Sequence, residues 1–315
     1  MNRRNLLFCA SAALTGLALV GSRLIKTAAS AEAPDAALPE GSSSEFAAVN
    51  GIRMHYVAAG SGPVLVLLHG WPETWYSWHG VMPRLAKRFT VVAPDLRGVG
   101  LTERTPDGYD KKTIAADIAA LIEHLGGAKV YLAGHDMGGK AAYVLAHTRP
   151  DLLSKLVLVD CLLPGTENMD PAKGGAWHYG FHMAAEFPEM LTAGREQEYI
   201  AAQIRTWSHR KDAISDATIA EYARHYATPG GMTAGFNYYR ALRTDIPYAE
   251  TLRSKKIAVP VLTIGGRYGV GEKLHAAISK EADDVQGVIA ENTGHFVAEE
   301  DPEFFCEQIE RFCTA

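Results

Sequence analysis

The residues able to do chemistry converge on one stretch of this 315-residue sequence, AGHDMGGKAAY at 133–143. There Asp136 stands between glycines, after the apolar run VYLAG and before the helical pattern GGKAAYVLAHT. An aspartate ahead of a helix commonly caps it, its carboxylate accepting backbone N–H groups. On a sharp strand-to-helix turn, where flanking glycines permit close packing, the same carboxylate is presented as a nucleophile. A serine alkoxide suits a planar carbonyl. A carboxylate can displace at a saturated carbon and leave an ester that water then cleaves.

Such a nucleophile needs partners, and the sequence supplies them in a consistent order. His69-Gly70-Trp71-Pro72 follows the apolar run VLVLL, so the backbone N–H of Trp71 and that of Met137, next after Asp136, can form an oxyanion hole. Near the C-terminus, NTGHFVAEEDP offers His295 as a base, last in the order nucleophile, acid, histidine. Taken alone it is an ordinary surface histidine. The acid has two candidates. Asp160 ends the run LVLVD and is preferred; Glu272, the carboxylate in GGRYGVGEKL, is the alternative. As a structural residue, Asp160 would cap the chain leaving its strand.

Elements that could hold these residues follow from the pattern. EFAAV, Asn50-Gly51 and IRMHYVAAG read as a hairpin. The runs VLVLL, FTVVAPD, VYLAG, LVLVD, VPVLTIGG and the weaker VQGVIA are apolar throughout rather than alternating, as parallel strands covered on both faces must be. Between Asp160 and Val259 the strand pattern stops and aromatic-rich helical sequence takes over. The expectation is an α/β-hydrolase fold: a mostly parallel eight-stranded sheet with an all-helical cap inserted after the sixth strand. Its parts are an export signal at 1–31, a core at 40–163, a cap or lid at 164–247, and the rest of the core at 248–315.

HGWP, APDLRGVGLTE, AGHDMGGKAAY, FNYYRAL and NTGHFVAEEDP together resemble the epoxide hydrolase and dehalogenase branch of the α/β-hydrolases, over roughly residues 45–312. AWHYGFH, FNYYRAL and the early acid at Asp160 are most similar to the secreted Cif-type epoxide hydrolases. The resemblance implies an alkyl-enzyme ester on Asp136, hydrolysed by water that His295 activates. It also implies two cap donors to the epoxide oxygen, Tyr239 and His178, of which Tyr239 would otherwise be a packed aromatic and His178 a satisfied or exposed histidine. A haloalkane or haloacid dehalogenase is the alternative, although Met137 supplies neither the Trp nor the Arg those enzymes carry after the nucleophile. A non-catalytic binding protein on a hydrolase scaffold is the other.

Composition narrows the partners. With 47% hydrophobic and 21% charged residues and no basic cluster, nucleic acid is not expected. Arg3-Arg4, a short apolar stretch and Ala29-Ser30-Ala31 read as a twin-arginine export signal, which implies a periplasmic or secreted protein without a stable membrane anchor after cleavage. Cleavage would take the formal net charge from −5 to −9. Of the cysteines, Cys306 and Cys313 lie about 10 Å apart along a helix, beyond disulfide reach. No cofactor and no metal are expected; His178 and His182 share a helix face but lack a third ligand. The aromatic lid suggests a mostly apolar pocket, and the resemblance then implies a small apolar epoxide as substrate, with water as co-substrate. The resemblance to Cif-type enzymes implies a possible homodimer.

Overall fold

A computed structural model describes residues 37–314. The export signal expected at 1–31 lies outside the described residues. The strands are β1 (Ser42–Val49), β2 (Ile52–Ala59), β3 (Val64–Leu68), β4 (Thr90–Pro94), β5 (Val130–His135), β6 (Leu153–Val159), β7 (Val261–Gly266) and β8 (Val285–Ala290). They form one sheet in the order β1-β2-β4-β3-β5-β6-β7-β8. The β1–β2 hairpin, turned at Asn50-Gly51, and the β2–β4 pair are antiparallel, and every later pairing is parallel.

The unbroken apolar runs have a physical reason. In β3, Leu65 and Leu67 enter the core on one face of the sheet, and Val66 and Leu68 enter the core on the other. In β6, Leu156 and Leu158 alternate in the same way with Val157 and Val159. A strand covered by helices on both sides has no polar face to show.

Among the described residues three α-helices precede the cap: α1 (Met82–Leu85), α2 (Lys111–His124) and α3 (Asp136–Thr148). The cap lies between β6 and β7 and comprises α4 (Trp177–Met183), α5 (Phe187–Thr192), α6 (Glu196–Trp207), α7 (Asp216–Tyr226), α8 (Gly231–Arg240) and α9 (Leu242–Leu252). The core then closes with α10 (Lys273–Ile278), α11 (Val297–Glu300) and α12 (Pro302–Thr314).

The cap is seated by buried contacts of mixed chemistry. Trp71 packs edge-on against Tyr226, His182 and Tyr239 of the cap. Lys111 at the start of α2 donates to Asp245 of α9 at 3.0 Å, both side chains being excluded from water. Tyr238 donates its hydroxyl proton to the carbonyl of Arg97 at 2.8 Å. Unpairing a buried charge costs about 3–5 kcal/mol, so the Lys111–Asp245 contact strongly disfavours lifting the end of the cap from the core.

Parallel order brings the carboxyl ends of β3, β5, β6, β7 and β8 to one edge. His135 on β5 is in register with Val159 on β6. The next residues in the chain are Asp136 and Asp160. The two carboxylates therefore leave neighbouring strands at the edge where open α/β sheets bind ligands.

Candidate active site

Asp136 turns the chain from β5 into α3 with φ at +45°, a left-handed conformation that costs a non-glycine residue about 1–3 kcal/mol. The neighbouring glycines make the turn possible. A Cβ on Gly138 would lie 2.4 Å from the carbonyl oxygen of His69, and one on Gly70 would lie 2.6 Å from Cβ of Asp136. The backbone of HGWP is thus drawn against the turn, and the Trp71 N–H donates to Oδ2 of Asp136 at 3.0 Å. No donor among the described residues reaches Oδ1. Met137, buried, follows in the first turn of α3. Burial pushes the Asp136 carboxyl up in pKa, but His295, His135 and Lys140, with the Trp71 N–H, outweigh it and hold the group below its ordinary range. The carboxylate is ionised at neutral pH.

Asp160 also adopts a left-handed conformation, with φ at +38°, and is fully buried at the end of β6. Its Oδ2 lies 2.7 Å from Nδ1 of His295, which comes from the loop after β8. Its Oδ1 accepts N–H bonds from Gly266 at 2.8 Å and Val270 at 2.9 Å. With Nδ1 engaged, His295 offers Nε2 to the cavity. Glu272 stands elsewhere: it precedes α10, its side chain is 81% exposed, and its nearest cation is Arg267 at 3.9 Å.

Behind this arrangement lies a pair that no spacing rule selects. Nδ1 of His135 is 2.9 Å from the carboxylate of Glu73, and Nε2 is 2.9 Å from the carbonyl of His295. Both partners are acceptors only, so both ring nitrogens must carry protons and the ring is a cation. Burial opposes that charge, but Glu73 more than restores it, and the pKa is pushed up to about 9. Glu73 also accepts the Gly70 N–H at 2.7 Å. A second buried pair, Lys140 of α3 with Glu167, ties the helix that begins at Asp136 to the segment entering the cap. The 62-residue separation of His135 and Glu73 explains why sequence spacing is silent; the one available signal was a glutamate directly after HGWP.

The core groups Asp136, Asp160 and His295 line a cavity of about 470 Å³ that His178, Tyr179 and Tyr239 of the cap also line. The rings of His178 and Tyr239 meet edge to face with centroids 5.6 Å apart. Among the described residues neither has a hydrogen-bonding partner for its polar atoms, so both are available to a ligand. Burial pushes the His178 pKa down to about 4, leaving a neutral imidazole. Burial also raises Tyr239 well above its ordinary value. At neutral pH each therefore keeps a proton that it can donate. All five expected side chains therefore meet in one space, with the Trp71 N–H on Asp136 and Met137 next to Asp136 in the chain. Among the described residues no group of three or more His, Cys, Asp or Glu could hold a metal ion.

The sequence family described as alpha/beta hydrolase fold matches residues 63–302. The chain is 39% identical over 279 residues to a soluble epoxide hydrolase of Corynebacterium sp. (strain C12), covering 84% of this chain and 95% of the relative. Among solved structures it resembles Cfl2 from Burkholderia cenocepacia, with a TM-score of 0.82 at 35% identity over 86% of this chain and 96% of the other. It also resembles the Cif epoxide hydrolase from Acinetobacter nosocomialis, with a TM-score of 0.83 at 27% identity over 88% and 90% of the two chains.

Proposed function

The chain belongs to the α/β-hydrolase family, in its epoxide hydrolase branch, and we propose that it opens an epoxide to a vicinal diol in two covalent steps. In the first, Oδ1 of Asp136 attacks a ring carbon while the C–O bond on its far side breaks. Tyr239 and His178 donate to the oxygen that leaves as an alkoxide, and one of them yields its proton. In the second, His295, oriented by Asp160, removes a proton from water as that water attacks the ester carbon. The carbonyl oxygen at that stage is Oδ2, which already faces the Trp71 N–H. That N–H and the one from Met137 would stabilise the tetrahedral oxyanion. On collapse the departing oxygen, Oδ1, takes the proton from His295 and leaves with the diol, while the second proton of the water returns to the cap donor and Asp136 is again a carboxylate.

One observation carries this reading: an ionised aspartate at a strand-to-helix turn shares a cavity with two cap donors that have no hydrogen-bonding partner among the described residues. A halide leaves without a proton, so ring opening makes more use of those donors than dehalogenation does. Tyr239→Phe and His178→Ala should each slow epoxide opening by something on the order of 10²–10⁴-fold, measured as single-turnover loss of substrate. Full turnover in both variants would rule the pair out as donors.

Export to the periplasm or medium is the companion proposal, resting on Arg3-Arg4 and Ala29-Ser30-Ala31. Among the described residues no helix is long and apolar enough to cross a membrane. N-terminal sequencing of the cell-derived protein should begin near Glu32; a start at residue 1 would contradict export.

A further inference from the structure

Glu300 is fully buried at the end of α11, and the two steps above give it no part. Its carboxylate holds two separate pieces of the molecule. Gly294 donates its N–H to both oxygens at 3.0 Å, and Phe296 donates to Oε1 at 3.1 Å. Those residues flank His295. His209 and Arg210, in the cap segment after α6, each donate a backbone N–H to Oε2 at 2.8 Å. The Arg210 guanidinium also donates to the Glu300 carbonyl. The His295 N–H, between the two core donors, goes to the carbonyl of Trp207 in the same cap segment at 3.0 Å. The adjacent Glu299 differs, accepting instead from the Tyr222 hydroxyl at 2.7 Å.

The frame extends to the acid. The His209 ring stacks on Tyr268 with centroids 3.6 Å apart and planes 3° from parallel. Tyr268 belongs to the loop whose Val270 N–H holds Asp160. Cap segment 207–210, the His295 loop and the loop supporting Asp160 are therefore joined, with the Glu300 carboxylate bonded both to the residues flanking His295 and to the cap.

We propose that Glu300 is a positioning residue for the hydrolytic step, coupling the seating of the cap to the orientation of His295. The inference rests on the two-step reading above. Ring opening uses Asp136, Tyr239 and His178, none of which bonds to the Glu300 carboxylate, although the His178 ring packs on Trp207 with centroids 4.7 Å apart. Ester hydrolysis uses His295, whose two chain neighbours both donate to that carboxylate. A carboxamide at this position keeps the shape but turns one acceptor into a donor facing N–H groups, so the loop must shift. A misplacement of about 1 Å can cost about 10²-fold in rate.

The test follows the Asp136 ester by rapid quench and intact-protein mass, using the best substrate from a panel of terminal and internal epoxides. Glu300→Gln should form the ester within about twofold of the parent rate and lose it about 10–100-fold more slowly. Arg210→Met, which removes a cap arm and leaves the carboxylate in place, should slow decay severalfold with formation unchanged; it decides the matter alone if Glu300→Gln does not fold. A merely structural residue would depress both steps together, and that result, or unaltered decay, overturns the inference. No ester in the parent enzyme would overturn the two-step reading and this inference with it. An ester in the parent with normal decay in both variants overturns this inference alone.

Discussion

Asp136 and Asp160 are both buried aspartates in strained left-handed conformations at strand ends, and their surroundings separate their tasks. Each oxygen of Asp160 has a partner: Oδ1 is held by two backbone N–H groups and Oδ2 by His295. Asp136 has one oxygen on the Trp71 N–H and the other without a donor among the described residues, which is the state a nucleophile needs. The cation at His135 stands beside it, and burial strengthens such an interaction relative to water. Asp160→Asn should leave ester formation on Asp136 close to the parent rate and slow its hydrolysis by about 10²–10⁴-fold, because the base loses its orienting partner. Glu272→Gln should change neither step. The check is the rate of each step in single-turnover quench experiments, and the reverse pattern would move the acid to the loop before α10.

At the scale of elements, much of the fold could be read in advance because the parallel strands are buried on both faces and spell continuous apolar runs. The eight strands coincide with the runs and the hairpin, and the interruption between Asp160 and Val259 is filled by the helices α4–α9. Asp136 and Asp160 were legible because they stand at or just past the end of such a run, and a residue leaving a parallel strand emerges at the binding edge. Tyr239 and His178 lie within aromatic-rich helices where periodicity does not distinguish a packed ring from a donor, and only the family resemblance selected them. His135 with Glu73, Lys140 with Glu167, and Glu300 with the 209–210 backbone were illegible for a different reason. Each contact joins elements far apart in the chain, and the last uses backbone N–H groups that no residue type reveals.

For the whole molecule, the proposed mechanism divides labour between two layers: the core would supply nucleophile, acid and base, and the cap the donors for the leaving oxygen. Neither layer is a site alone, and buried contacts such as Lys111–Asp245 keep them together. The account therefore requires that the two chemical steps be separable, since they draw on different groups across the cavity. His295→Gln removes the base and leaves Asp136, Tyr239 and His178 untouched. Incubated with an epoxide that the parent turns over, this variant should gain the mass of one substrate per chain, and peptide mapping should place the adduct as a hydroxyalkyl ester on Asp136. Adding Asp136→Ala to that variant should abolish the adduct. A His295→Gln protein that consumes epoxide without ever carrying an ester, or that carries it on another residue, would contradict the central claim.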